Sequence, residues 1–368
     1  MSQSDNLNRK GYVIRREPSG DVKIFFRLKG VLNSKSQCPI VMIGGLGTDS
    51  LIWREQQTQL SKNHPVITID LRGTGRSDKP IGSPYNYQMF ADDIKAVLEQ
   101  LGILVITYIG AELGASVGLY FTAVYPQYVE RLILSNPNLK YTIQPIQPIQ
   151  PIQHIQPIQS IQPKVSKQVD HVDHADNADN SETSSNKSIH ILEDSADSSS
   201  TYNSDSWAFP LFTTSELAEL WNHMQMNYVA FANFFAKSFI FTDGCFNLAP
   251  LIKYSEDIML ATPVATCLQI FGFNNPNSFI YESLEDVLTK IPDIPILLLT
   301  GSESVEMSRG SVGYIFTRLV KLNPIIYEFP GRSGYANATD VFRYTTVVSN
   351  FINWNYQPDN GDVCIISP

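Results

Sequence analysis

The pattern Gly-x-x-x-Gly occurs in two overlapping copies, each with a side chain at its centre that could take part in catalysis. The copies lie where an apolar run gives way to a helical pattern. They read Gly-Ala-Glu-Leu-Gly and Gly-Ala-Ser-Val-Gly, with Glu112 and Ser116 at their centres. The run 104–109 predicts a strand and residues 114–125 a helix, so Glu112 falls at the turn between them. A carboxylate at a helix start is stabilised by backbone amides and can act as a base, a nucleophile or a bound anion. Ser116 is one turn into the helix, where we expect it to pack against the sheet.

Histidine is the side chain that most readily takes up and returns a proton at neutral pH. The six histidines are His64, His154, His171, His174, His190 and His223. No histidine follows residue 223. The last third of the chain therefore has no imidazole to act as a general base.

Short apolar runs alternate with helical patterns along most of the chain. The predicted strands are 11–16, 22–28, 39–43, 66–69, 104–109, 132–134, 294–299 and 325–329, and the predicted helices are 51–60, 89–101, 114–125, 312–322 and 341–352. The first two strands form a hairpin around a Pro-Ser-Gly-Asp turn. Strand-helix alternation predicts a parallel sheet covered by helices on both faces, which is an α/β fold.

Several motifs together resemble the α/β-hydrolases. Gly44-Gly45-Leu46-Gly47, followed by Trp53, resembles their oxyanion loop, and residues 70–80 are similar to the loop after the next strand. The Glu112 frame stands where the family has its Gly-x-Ser-x-Gly turn. Residues 293–301 resemble the strand before the acid loop, and Pro330-Gly331 resembles the loop that carries the histidine. The resemblance covers about 10–140 and 285–355, and it implies an eight-stranded, mostly parallel sheet with a helical lid.

The same resemblance assigns positions to the catalytic residues of the family. Counting back about fourteen residues from Tyr125-Pro126 places the nucleophile at Glu112, where the family has serine. The acid position falls at Ser304, next to Glu303, and the base position falls at Gly334 or Tyr335. The resemblance implies that the oxyanion-hole amides belong to Leu46 and Leu113. The standard nucleophile, acid and base are therefore predicted to be absent.

Four segments are predicted from composition. Residues 1–140 and 286–368 form the two parts of the hydrolase-like core. Residues 141–206 contain an Ile-Gln-Pro repeat and then an Asp/Ser/Asn-rich stretch, which predicts a disordered insertion because such a sequence buries too little apolar surface. The aromatic-rich segment 207–285 has helical spacing and predicts a helical lid.

Composition excludes several classes of function. The net charge is −9 with a pI near 5.2, and no basic stripe is present, so nucleic-acid binding is not predicted. No apolar run approaches the ~20 residues of a membrane span, and the polar start is unlike a secretory signal. The four cysteines are Cys38, Cys245, Cys267 and Cys364, which lie far apart and predict reduced thiols rather than a metal site. We expect a cytoplasmic protein without a cofactor.

Three functions are compatible with these residues. The first is a non-catalytic or severely impaired hydrolase-like protein that binds a small acyl or apolar ligand under the lid, or a protein partner. In it, the Glu112 carboxylate would fill its own oxyanion hole. The second is a non-standard enzyme, a hydrolase or a lyase, that uses Glu112 for covalent attack or proton abstraction. The third is a scaffold whose repeat region makes the contacts.

Overall fold

The computed structural model describes residues 8–32, 37–80, 83–139, 227, 282–304, 306–332, 334–353 and 364–365. The predicted insertion 141–206 lies outside these residues. Of the predicted lid, 207–285, the structure describes residues 227 and 282–285. These two segment boundaries therefore stay predictions.

The described strands form one sheet with the order β1-β2-β4-β3-β5-β6-β7-β8-β9. They are β1 Asn8–Arg15, β2 Val22–Lys29, β3 Ile40–Ile43, β4 Val66–Ile69, β5 Ile106–Ala111, β6 Val129–Ser135, β7 Ile296–Gly301, β8 Ile325–Phe329 and β9 Cys364–Ile365. The sheet is parallel from β4 to β8 and antiparallel at both ends. The predicted mostly parallel sheet is confirmed, with β1–β8 as its eight strands and β9 as a two-residue addition.

Helices cover both faces of the sheet. They are α1 Arg54–Leu60, α2 Tyr87–Leu101, α3 Leu113–Val124, α4 Glu285–Leu288, α5 Glu306–Arg318, α6 Ala336–Thr339 and α7 Val341–Ile352, with short 3-10 turns at Ser50–Trp53, Pro126–Tyr128 and Val320–Leu322. Val41 and Ile43 pack in one core cluster with residues of α2 and α3, whereas Ile40 and Met42 pack in a second cluster with residues of α7. Alternate residues of one strand thus face opposite layers, which explains why the strands are wholly apolar.

Several predicted elements differ in extent from those observed, most of all the helix predicted at 312–322, which is observed as α5, Glu306–Arg318. The strand predicted at 132–134 begins earlier, at Val129. The sequence did not indicate this start because Glu130 and Arg131 interrupt the apolar pattern there. The helix predicted at 51–60 is a 3-10 turn, Ser50–Trp53, that continues as α1. Within the described part of the chain, none of the helices has the length and apolar content needed to cross a bilayer.

The loop after β4 supports the segment that follows β3. The Asp70 carboxylate accepts hydrogen bonds from the backbone N–H of Ser50 at 2.7 Å and of Arg76 at 2.9 Å. In the same loop, the buried guanidinium of Arg72 donates to Asp93 on α2 and to Glu17. The buried Arg72 side chain therefore connects the loop to α2 through Asp93 and to the first hairpin through Glu17. The loop residues thereby fix the backbone that leads into the site.

Candidate active site

Glu112 occupies the sharp turn between β5 and α3. Its backbone has φ 49° and ψ −111°, a left-handed conformation that side-chain-bearing residues rarely adopt. Its N–H donates to the carbonyl of Ser135, and its own carbonyl accepts from Ala115 and Ser116, each contact at 3.0 Å or less. Gly114 lies so close to β3 that a Cβ there would overlap the carbonyl oxygen of Ile43. The glycine pattern therefore reflects a close helix-strand crossing, with Glu112 held in a strained turn.

The Glu112 carboxylate accepts hydrogen bonds at both of its oxygens. The backbone N–H of Leu46 donates to Oε2 at 2.7 Å, and the side-chain amide of Asn138 donates through Nδ2 to Oε1 at 3.2 Å. Leu46 is the residue whose amide the sequence assigns to the oxyanion hole. Leu113, assigned the second amide, is the first residue of α3 and is buried. The side chain at the turn thus reaches back to the loop after β3.

A tight turn presents the Leu46 amide to this carboxylate. The backbone N–H and the hydroxyl of Thr48 both donate to the carbonyl of Gly45, at 3.1 and 2.8 Å. Leu46 lies inside this turn. A Cβ built on Gly45 would lie 2.5 Å from the Tyr335 hydroxyl and 3.0 Å from Glu112 Oε2. Glycine at position 45 therefore lets the loop, the carboxylate and the tyrosine hydroxyl approach one another.

Ser116 is fully buried on α3 and makes structural hydrogen bonds. Its hydroxyl donates to the carbonyl of Asn138 at 2.7 Å and accepts from the backbone N–H of Asn138 at 2.9 Å. These bonds tie α3 to the segment after β6. Ser116 thus acts in this structure as a packing residue, in the place where the sequence puts it.

The residues at the predicted acid and base positions meet at a neutral amide. Asn136, directly after β6 with φ 49°, donates through Nδ2 to the carbonyl of Gly334 at 2.5 Å and accepts at Oδ1 from Thr300 at 2.9 Å. The Ser304 hydroxyl lies 3.5 Å from the same Oδ1 and accepts from the N–H of Gly301 at 3.0 Å. A Cβ built on Gly334 would lie 3.9 Å from Ser304 Oγ. The structure therefore brings positions 304 and 334 together, with Asn136 bonded between them.

Tyr335 precedes α6 and is nearly buried. Its hydroxyl and the Glu112 carboxylate both lie within 3.0 Å of one point beside Gly45. A hydroxyl in this place can donate to a bound molecule or to a carboxylate, but a neutral phenol does not shuttle protons at neutral pH as imidazole does.

Sequence reasoning missed two site residues, Asn136 and Asn138, and also Glu282, a carboxylate that shares Tyr87 as a neighbour with Glu112. The two asparagines flank Pro137 immediately after an apolar strand, and a search for polar residues at strand ends would have found them. Glu282 accepts a hydrogen bond from the backbone N–H of Tyr87, and burial raises the pKa of its carboxyl group. Burial, followed by the charges of Glu282 and Glu112, raises the pKa of Tyr87 well above its ordinary value. Glu282 had no motif around it, so its place follows from the fold alone.

The opposite, amino edge of the parallel strands holds a second group of reactive side-chain types. A cavity of about 670 Å³ is lined there by Cys38, His64, Glu130 and Arg131, among others. His64, the one histidine that the structure describes, has its Nδ1 3.3 Å from the carbonyl of Cys38. Burial, and next the charge of Glu130, raises the pKa of Cys38 to about 12. Among the described residues, no group of three or more His, Cys, Asp or Glu side chains is arranged to hold a metal ion.

Comparison with known proteins identifies the family. A model of the α/β hydrolase fold matches residues 39–225, just over half of the chain. The chain belongs to the α/β hydrolase fold family. Its turn residue Glu112 and its loop residue Leu46 both lie within the matched range of this hydrolase-fold model.

Curated relatives match about a quarter of the chain. The putative carbamate hydrolase RutD of Caulobacter vibrioides is 31% identical over 97 residues, which are 26% of this chain and 36% of that protein. A cis-3-alkyl-4-alkyloxetan-2-one decarboxylase of Shewanella oneidensis is 34% identical over 101 residues, 27% of this chain and 32% of that protein. An uncharacterized protein of Mycobacterium tuberculosis is 37% identical over 95 residues, 26% of this chain and 28% of that protein. The chain spans about a third of the length of these relatives.

Solved hydrolase-fold structures match nearly the whole chain. A bromoperoxidase from Bacillus anthracis superposes with a TM-score of 0.66 and 16% identity, covering 93% of this chain and all of that one. An esterase from Exiguobacterium antarcticum gives a TM-score of 0.65 at 16% identity, with 93% and 99% coverage. At this level of identity the likeness shows the fold and carries no assignment of activity.

Proposed function

We propose that this protein is a hydrolase-fold protein without ester-hydrolysing activity, in which Glu112 fills the oxyanion hole, and that it acts by binding a ligand. The observation that carries the proposal is the 2.7 Å hydrogen bond from the Leu46 amide to the Glu112 carboxylate. That amide is the donor that would stabilise a developing oxyanion in a hydrolase. A donor already paired with a fixed anion is not free for that purpose.

The acid and base positions support the same proposal. Ester hydrolysis requires a nucleophile activated by a base that an acid orients. Position 304 holds serine and position 334 holds glycine. The Asn136 side chain contacts both, through the Gly334 carbonyl and the Ser304 hydroxyl. In well-studied enzymes, loss of single triad members lowers the rate by about 10³–10⁶-fold. We therefore expect this protein to hydrolyse simple esters more slowly than an intact hydrolase by at least a similar factor.

The proposed ligand is a small apolar or acyl molecule bound at the carboxyl edge of the sheet. In open α/β sheets, ligands bind outside the carboxyl ends of the strands, and pockets there are largely apolar. Glu112, Tyr335 and Asn138 converge on this edge and supply the few polar contacts that orient a ligand. A protein partner that inserts an apolar side chain is the other form of the same proposal.

A second candidate is an enzyme that uses Glu112 directly, which its strained backbone at the strand-to-helix turn favours. Covalent attack by the carboxylate on an electrophilic carbon would expel a leaving group and form a glutamyl ester. Release would need a water molecule activated by a base. Proton abstraction from an activated C–H avoids the ester and is the simpler form of this candidate.

An assay with a panel of esters and epoxides separates the two candidates. It compares the purified native protein with the variants Glu112→Ala and Glu112→Ser. The proposal expects no sustained turnover by any of the three, because the Ser variant still lacks a base. Turnover by the native protein that Glu112→Ala abolishes would support the second candidate and overturn the first. Binding is checked by thermal shift with short acyl compounds, since a ligand at 100 times its Kd stabilises the native state by about 2.7 kcal/mol.

A further inference from the structure

Leu46 and Asn138 hold Glu112 from different parts of the chain and donate to different oxygens. Leu46 follows β3 and donates a backbone N–H to Oε2, whereas Asn138 follows β6 and donates a side-chain N–H to Oε1. One N–H donor for each oxygen matches the geometry of a carboxylate, and such charge-assisted hydrogen bonds are stronger than neutral ones. A spherical anion such as chloride offers no second oxygen for the second donor.

The Asn138 donor is built into the fold. Its backbone N–H and carbonyl are both bonded to the buried Ser116 hydroxyl, at 2.9 and 2.7 Å. Asn138 itself is 2% exposed. The backbone that carries the amide is therefore fixed by α3, and the Leu46 amide is fixed by the turn at Gly45 and Thr48. The backbone segments that carry the two donors are therefore held by contacts that do not involve the Glu112 carboxylate.

We infer that the Leu46 amide and the Asn138 side chain form a carboxylate clamp, which Glu112 occupies as an internal ligand. With the Glu112 side chain removed, the clamp binds a small free monocarboxylate such as acetate or formate. This inference rests on the proposed function, in which Glu112 fills the oxyanion hole, and it adds Asn138 as the residue that makes the site specific for carboxylates. In the native protein the tethered carboxylate excludes a free one, because an intramolecular ligand has a high effective concentration.

The test uses the full chain with Glu112→Gly, because glycine adopts the backbone conformation of position 112 without strain. The ¹⁵N–¹H signal of Leu46, from ¹⁵N-leucine labelling and assigned with Leu46→Ile, reports the hydrogen bond. In Glu112→Gly this signal should move from its native position, and acetate should move it back in a saturable way. Sodium chloride at the same ionic strength should have no such effect, and acetate should leave the native signal unchanged.

The matched variant is Glu112→Gly combined with Asn138→Ala, which should weaken acetate binding by about tenfold or more, since it removes a hydrogen bond to a charged group. Asn138→Leu in the same background removes the donor, keeps a similar shape and adds no charge, and it serves if the Ala variant does not fold by circular dichroism. Unchanged acetate affinity in these variants, or no acetate binding at all, overturns the clamp. A Leu46 signal that is identical in native protein and Glu112→Gly overturns the proposed function itself, so the two failures are distinguishable.

Discussion

The two edges of the parallel sheet differ in which residues they hold and in what those residues are able to do. The amino edge has a thiol, an imidazole, a carboxylate and a guanidinium around one cavity, in Cys38, His64, Glu130 and Arg131. The carboxyl edge has Glu112 with neutral amide and hydroxyl groups around it. By residue type alone, the amino edge is better equipped for nucleophilic chemistry.

Position reverses that ranking. At the carboxyl edge, N–H groups that the fold positions stabilise an anion, as the Leu46 backbone amide and the Asn138 side-chain amide hold Glu112. At the amino edge, burial and the charge of Glu130 keep the Cys38 thiol protonated. Reactive side-chain types thus do not make a site unless the surrounding backbone stabilises their charged form.

The largest expected effect tests whether the carboxyl edge still has the geometry of a hydrolase. The triple change Glu112→Ser, Ser304→Asp and Gly334→His should raise kcat/KM for p-nitrophenyl acetate about 10³-fold above Glu112→Ser alone. The reason is that a side chain at 334 starts beside position 304, with the Asn136 amide yielding slightly. If the triple variant is active and Glu112→Ser alone is equally active, a base must lie elsewhere, for example His223 in the predicted lid. An inactive but folded triple variant would contradict the assignment of positions 304 and 334.

The second test concerns the thiol at the amino edge. A rise of the Cys38 pKa from 9.0 to about 12 lowers its thiolate population at pH 8 by about 10³-fold. The rate of alkylation by iodoacetamide, followed for the Cys38 peptide by mass spectrometry, should be slower than for free cysteine by a similar factor. It should keep rising about tenfold per pH unit between pH 8 and 10, because the thiol titrates above this range. A plateau near pH 9 would mean an ordinary, accessible thiol.

The third test removes the neutral cross-link at the carboxyl edge. Asn136→Ala loses the bonds to Gly334 and Thr300 and places alanine at φ 49°, so we expect a loss of about 2–4 kcal/mol in the free energy of unfolding. Asn136→Gly loses the same bonds without the backbone strain and should be about 1–2 kcal/mol more stable than the Ala variant. Urea denaturation measures both. Equal free energies of unfolding for the two variants would mean that the positive φ of position 136 does not strain an alanine there.

The smallest effect isolates the strain at the turn that carries Glu112. Glu112→Gly and Glu112→Ala both remove the carboxylate, so the difference between them reports the backbone at φ 49° and ψ −111°. Glycine should be more stable by about 1 kcal/mol or slightly more, measured by the same denaturation experiment. A more stable alanine variant would mean that the turn relaxes once the carboxylate is gone.

Periodicity and motifs were sufficient to predict the fold, because short, wholly apolar runs such as 40–43 that alternate with helical patterns are typical of strands covered on both faces. The Gly-x-x-x-Gly frame also placed Glu112 at the turn and Ser116 inside the helix. The edge strand β9 escaped prediction because two residues carry no periodic signal.

The sequence by itself determined which side chains stand at each turn, and its resemblance to the hydrolases predicts that glutamate, serine and glycine occupy the positions of the reacting groups. The tertiary structure decided what those side chains touch. Leu46, Glu112 and Asn138 are far apart along the chain, and local patterns report a residue's own element but not its partner across the sheet. The contact between an anion and its donors is fixed by the crossing of β3, β5 and β6, which is set by packing of the whole core.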